Sequence, residues 1–137
     1  MIRTRKATYA DFMQAMQDCL HIYAKDGLDY DDEKDISLYV DDTLVGIFRG
    51  TSIFSGVITV GAILTTAVHK YPKSLIQMCK ATLIMLEKSG THRVQIDVRA
   101  DYKAGQRFAE ALGFKPEGTM KNYGSDKQDY ILYARTS

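Results

Sequence analysis

The residues best suited to chemistry fall in two short stretches, His69-Lys70-Tyr71-Pro72-Lys73-Ser74 and Asp97 to Tyr102. His69 follows a long apolar run, and its imidazole serves either as a proton acceptor or as an ordinary surface polar group. Lys70 and Lys73 stand at the start of an expected helix, where cations oppose the helix dipole; that placement favours an anion such as a phosphate as their partner. Ser74 adds a hydroxyl to the same turn. In the second stretch Asp97 and Asp101 are carboxylates able to take a proton from an amine, and Tyr102 is either a packing ring or a phenol with a task. The acidic run Asp29-Tyr30-Asp31-Asp32-Glu33 either concentrates a cationic amine or is simply solvated. Of nine tyrosines, Tyr123, Tyr130 and Tyr133 crowd near the C-terminus, where they could line a substrate groove or a protein interface.

Composition narrows the classes. A chain of 137 residues is expected to form one domain, residues 1–137, with a core that needs no staples. Eighteen basic against seventeen acidic residues give a net charge of +1, so no global field draws in nucleic acid or a membrane surface. No apolar stretch is long enough to span a bilayer. The expected location is the cytoplasm, or a particle packaged from one. Cys19 and Cys79 are far apart, each within an apolar helical pattern, and read as buried thiols in a reducing compartment, with no metal implied.

The elements that position these groups follow from period and punctuation. Ile2 to Lys6 alternates as a strand. Thr8-Tyr9-Ala10-Asp11 is a capping box for a helix whose apolar face is Phe12, Met16, Cys19, Leu20 and Tyr23, with Asp11, Gln14, Gln17 and Asp18 in water and Gly27 as the stop. Ile36–Val40 and Thr43–Phe48 form a hairpin across Asp41-Asp42. Val57 to Val68 is a long central strand, with Gly61 marking a bulge. Pro72 opens a helix through Leu75, Cys79, Leu83 and Leu86 that Gly90 ends; Met78, Ile84 and Met85 widen its face and predict heavy burial. Val94–Val98 is a strand, Ala104–Leu112 a helix closed by Gly113, and Thr119–Tyr123 with Tyr130–Ala134 a terminal hairpin, Tyr130 and Tyr133 facing opposite ways. Interleaved strands and helices predict an α/β (α+β layered) domain with a mixed, mostly antiparallel sheet flanked by helices.

The stretch from Val98 to Gly118, with Leu112-Gly113-Phe114 at its centre and Glu117-Gly118 after it, resembles the C-terminal half of the GNAT family of N-acetyltransferases, and Asp129 to Arg135 resembles its closing strand. The resemblance implies a GNAT-like fold and transfer of an acetyl group from acetyl-CoA to a small-molecule or protein amine, by direct attack in the cleft between the fourth and fifth strands. It places the cofactor against the backbone of Leu64, Thr65, Thr66, Ala67 and Val68, with Lys70, Lys73 and Ser74 at its phosphates. It makes His69, Asp97 and Tyr102 the catalytic candidates, the two acid–base groups as proton acceptors and the phenol near the departing thiolate. Two departures stand out: the family's glycine-rich turn is replaced by His69 to Ser74, which has no glycine, and Ala109 stands where a Tyr usually protonates the thiolate.

The chain is also similar to small acetyltransferase-like proteins of tailed phages, some of them virion components. That similarity implies the alternative, a non-catalytic structural or assembly protein with an eroded cofactor site, meeting a protein partner through its tyrosine-rich C-terminal hairpin.

Overall fold

The computed structural model describes residues 1–19 and 30–137. Leu20, Tyr23 and Gly27, expected on the first helix and at its end, lie outside the described residues, as does the start of the acidic run. The elements are β1 (Ile2–Lys6), α1 (Tyr9–Gln17), β2 (Ile36–Val40), β3 (Thr43–Phe54), β4 (Val57–Leu64), a 3-10 turn (Thr66–His69), α2 (Pro72–Lys88), β5 (Arg93–Arg99), α3 (Lys103–Ala111), β6 (Lys115–Met120) and β7 (Tyr130–Thr136). The hydrogen-bonded strand order is β1-β2-β3-β4-β5-β7-β6. The β1–β2, β2–β3, β5–β7 and β6–β7 pairs are antiparallel and β4–β5 is parallel, which is the mixed sheet expected. The chain forms two compact units, Met1–Thr51 with Gly61–Met78, and Ser52–Val60 with Cys79–Ser137.

In the first unit Thr8 caps α1 as a capping box: its hydroxyl accepts from the Asp11 N–H at 3.1 Å while the Asp11 carboxylate accepts from the Thr8 N–H at 3.1 Å. Phe12 and Ala15 on the inner face of α1 join Ala7, Tyr39, Leu44, Ile47 and Ile63 in one apolar cluster; each large side chain there contributes about 1.5–3 kcal/mol of burial. Asp11 is not in water as expected. It is 4 % exposed because it faces β2, where Ser37 and Tyr39 donate to it. Asp41 turns the β2–β3 hairpin at φ 54°, a conformation Asp tolerates better than most residues. β3 runs on to Phe54, since only Ser55-Gly56, with Gly56 at φ 79°, breaks the extended chain. β4 stops at Leu64 rather than Val68: Thr65 turns its hydroxyl to Leu44 O at 2.8 Å and starts the 3-10 turn. Cys19 likewise sits beyond α1, bridged to Thr65, and not inside a helix.

α2 opens at Pro72, and Gly90 at φ 107° follows it as expected. Leu75 and Leu83 are its buried residues, whereas Ile84 and Met85 are 45 % and 70 % exposed, so the helix is seated on a narrow stripe and not heavily buried. In the second unit β7 pairs along all of β5, from Arg93↔Thr136 to Arg99↔Tyr130. Tyr133 is buried and Tyr130 half-buried, in keeping with their opposite faces. β6 begins at Lys115, earlier than its alternation suggested. It is an edge strand, and the irregularity between Pro116 and Gly118 accommodates a residue with no N–H to give. Gly113, at φ 89°, ends α3, and Arg135 closes that end by donating to Leu112 O at 2.6 Å.

Candidate functional site

The turn after β4 is built from residues that satisfy one another. Thr65 donates its N–H to Val45 O at 2.9 Å, Thr66 to Asp18 O at 3.1 Å, and Val68 to Thr65 O at 3.2 Å. The Ala67 N–H meets the Thr65 hydroxyl at 3.3 Å, while Lys70 and Tyr71 donate to Ala67 O and Val68 O at 3.0 and 3.2 Å. The first intrahelical bond of α2 runs from Leu75 to Tyr71 at 3.1 Å. Pro72 has no N–H, so the first turn leaves Lys73 and Ser74 as its donors. An amide cradle for a pyrophosphate needs several N–H groups without other acceptors, and usually glycines to admit the phosphate. The residues here do not fit that part of acetyl-CoA.

The side chains around the turn are exposed. His69, Lys70 and Lys73 all face solvent, Ser74 is half-buried, and Thr65 and Val68 are buried. Lys70 Nζ lies 5.5 Å from the centre of the Tyr71 ring and adds to the field on Asp41, whose carboxyl is held below its ordinary value chiefly by the Met1 ammonium. An open groove in the same unit is lined by Thr4, Arg5, Lys6, Glu33, Asp35 and Ile36, and two of its charges are already paired, Arg5 with Asp11 at 3.0 Å and Asp35 with Arg49 at 2.6 Å. In the acidic run, Asp31 spends its carboxylate on the N–H groups of Glu33 and Lys34, as a solvated turn does.

The second unit gathers a different set. Asp97 is exposed on β5, opposite Leu132 of β7. The Tyr123 phenol has its pKa raised by the neighbouring Asp97 carboxylate and by partial burial. Tyr130 meets the Tyr123 ring edge-on with centroids 5.4 Å apart. Sequence reasoning missed the proximity of Asp97 and Tyr123 because it placed Tyr123 at the end of a strand, Thr119–Tyr123, in the terminal hairpin. The pairing of Met120 with Tyr130 ends the ladder and puts residues 121–129 in a loop that folds back towards β5. Asp101, the other expected carboxylate, is engaged by Arg99 at 2.7 Å. Tyr102 precedes α3 without capping it through its side chain. Its ring lies over Gly105, where an added Cβ would stand 2.6 Å from Tyr102 Cδ2 and 3.0 Å from Val98 Cγ1. Gly105→Ala is expected to lower stability by about 1–3 kcal/mol in urea unfolding, through displacement of that ring; an unchanged midpoint would show that the ring moves freely. Ala109 has no exposure at all, so α3 has no room for a phenol there.

Among the described residues no cluster of three or more His, Cys, Asp or Glu is placed to hold a metal ion, and no helix is long and apolar enough to cross a membrane. The Cys79 thiol is pushed up to about 11 by burial, which makes it a poor nucleophile.

No protein-family profile and no curated protein matches the sequence. Solved structures do match over nearly the whole chain. An acetyltransferase of the GNAT family from Bacillus anthracis aligns with TM-score 0.76 at 16% identity, covering 98% of this chain and 94% of that one. A ribosomal-protein-alanine N-acetyltransferase from Brucella melitensis gives 0.74 at 14%, covering 98% and 99%. An N-acetyltransferase from Staphylococcus aureus Mu50 gives 0.74 at 13%, covering 99% and 98%. With a seven-stranded mixed sheet, a parallel β4–β5 pair and three helices in the expected order among the described residues, the chain has the fold of the GNAT acetyltransferases.

Proposed function

We propose that the protein transfers an acyl group, an acetyl group in the simplest case, from a thioester to an amine. The observation that supports this is the full-length likeness to GNAT acetyltransferases, including the parallel β4–β5 pair. The thioester donor lies along β4 towards Leu64 and supplies the activated acyl group; the acceptor is a small-molecule or protein amine. Asp97 takes the proton that the amine must shed, and the Tyr123 phenol stands beside it. Tyr102 is the candidate to protonate the departing thiolate, and His69 is the second candidate for the amine's proton.

A positioned base contributes about 10²–10⁴-fold. Asp97→Asn is therefore expected to lower kcat/KM for the amine by about 100-fold while leaving donor affinity unchanged, measured as thiol release from acetyl-CoA or S-acetylpantetheine with an amine panel. Wild-type rates in that variant, with loss in His69→Ala, would move the base to His69.

One observation favours a second reading, a non-catalytic GNAT-fold assembly or binding protein: the backbone N–H groups from Thr65 to Tyr71 are largely committed inside the protein. Neither binding of a thioester at millimolar concentration nor thiol release with any amine would select it, with Tyr123 and Tyr130 as the partner surface.

A further inference from the structure

We infer that the protein does not read the nucleotide half of a CoA thioester, and that its acyl donor is recognised through the acyl-pantetheine arm alone. The inference rests on the acyltransferase reading above and on where the hydrogen bonds of residues 65–75 go. Six N–H groups that could have followed a diphosphate, those of Thr65, Thr66, Ala67, Val68, Lys70 and Tyr71, each have an acceptor within the protein. Both sides of the chain are closed just past the end of β4. Thr65 donates towards β3, and the next residue, Thr66, donates to Asp18, while Cys19 bridges Thr65. Taking a diphosphate would therefore exchange existing bonds for new ones with little net gain, and would dismantle the 3-10 turn as well. Lys73 and Ser74 lack the flanking glycines that let phosphate reach the backbone.

The strand before the turn has the opposite character. Gly61 on β4 is exposed, and the space where its Cβ would stand is empty to 4 Å. A glycine in a strand with open space above it admits another extended chain to backbone distance. The two secondary amides of a pantetheine arm are such a chain, and they need strand backbone but no phosphate site. The ladder to β5 stops at Thr59↔Gln95, before Gly61 is reached.

The test is calorimetric titration of the intact chain with acetyl-CoA, S-acetylpantetheine and adenosine 3′,5′-bisphosphate. The expected result is that the two thioesters bind within about threefold of each other and the bisphosphate does not compete. Two backbone bonds to a phosphate would favour acetyl-CoA by about a hundredfold. A preference above thirtyfold, or competition by the bisphosphate, overturns the inference and leaves the acyltransferase reading standing. Failure of both thioesters to bind removes the acyltransferase reading and the inference with it. The variant Lys70→Ala with Lys73→Ala changes only exposed side chains and is expected to leave the ratio of the two affinities unchanged. A tenfold loss for acetyl-CoA alone would show that the two ammonium groups read the phosphates, and overturns the inference by a second route.

Discussion

Asp11→Ala is expected to cost about 4 kcal/mol of folding stability, read as a fall in the urea midpoint at constant slope. Asp11 is 4 % exposed and accepts from four groups: the Thr8 N–H, the Ser37 and Tyr39 hydroxyls and the Arg5 guanidinium. Ser37 is fully buried and Tyr39 nearly so, and each stranded hydroxyl costs about 1–3 kcal/mol. Loss of the capping box adds about 1 kcal/mol. Arg5 is half-exposed and rehydrates, so Arg5→Ala should cost well under half as much. The pH dependence fixes the sign. Burial works to raise the Asp11 pKa, but the bonds from Tyr39, Thr8, Ser37 and Arg5 outweigh it and hold the carboxyl far below its ordinary value. A folded-state pKa below the unfolded value of about 3.9 contributes stability that is complete above that value, declines as pH falls below it and is lost once pH has passed the folded-state value. The gap between wild type and Asp11→Ala should therefore narrow below about pH 4. A gap that stays constant down to pH 2 would mean that the carboxylate charge contributes nothing.

The second large effect lies at the end of β5. Arg99 is 8 % exposed and reaches Asp101 at 2.7 Å and Asp126 at 2.6 Å, tying the entry of α3 and the β6–β7 loop to one guanidinium. Burial works to lower its pKa, yet the hydrogen bonds to Asp126 and Asp101 hold it raised. The two carboxylates are about half-exposed and can hydrate when released. The costs are therefore asymmetric. Asp101→Asn with Asp126→Asn strips both anions from a buried cation and is expected to cost about 3 kcal/mol or more, whereas Arg99→Met should cost about 1–2 kcal/mol. Equal costs for the two variants in parallel denaturation curves would show that the guanidinium is better hydrated than its burial implies.

Much of this architecture was legible in the residues. The capping box at Thr8 and Asp11, the Asp41-Asp42 turn, Pro72 at the start of α2 and Gly113 after α3 are local devices whose chemistry acts within a few residues. What escaped were long-range choices. Val57 to Val68 is β-rich throughout, and only the meeting of Thr65 with Val45 and of Thr66 with Asp18 converts its last residues into a 3-10 turn. Asp11 reads as a surface acid until β2 brings Ser37 and Tyr39 to it, because hydroxyl donors in another strand leave no mark on helical periodicity. The candidate site divided the same way. The charges of His69 to Ser74 stand out in the sequence, but the backbone bonds of the turn depend on Asp18 and Val45, far away in sequence. Tyr123 was hidden because loop and strand tyrosines look alike until the register of β6 with β7 is known.

The weaving of the chain between its two compact units has a consequence for synthesis. The first unit holds Met1–Thr51 and Gly61–Met78, while the second combines the early hairpin segment Ser52–Val60 with everything from Cys79 onward. A ribosome therefore delivers all of the first unit before the second can close. Val57, Ile58 and Thr59 must wait for Arg93, Val94 and Gln95 to emerge before that edge is paired. At about 5–20 residues per second the interval lasts a few seconds, longer than hairpin formation takes. During that interval an apolar strand edge stands open, and chaperone capture or misassembly during translation would be concentrated there.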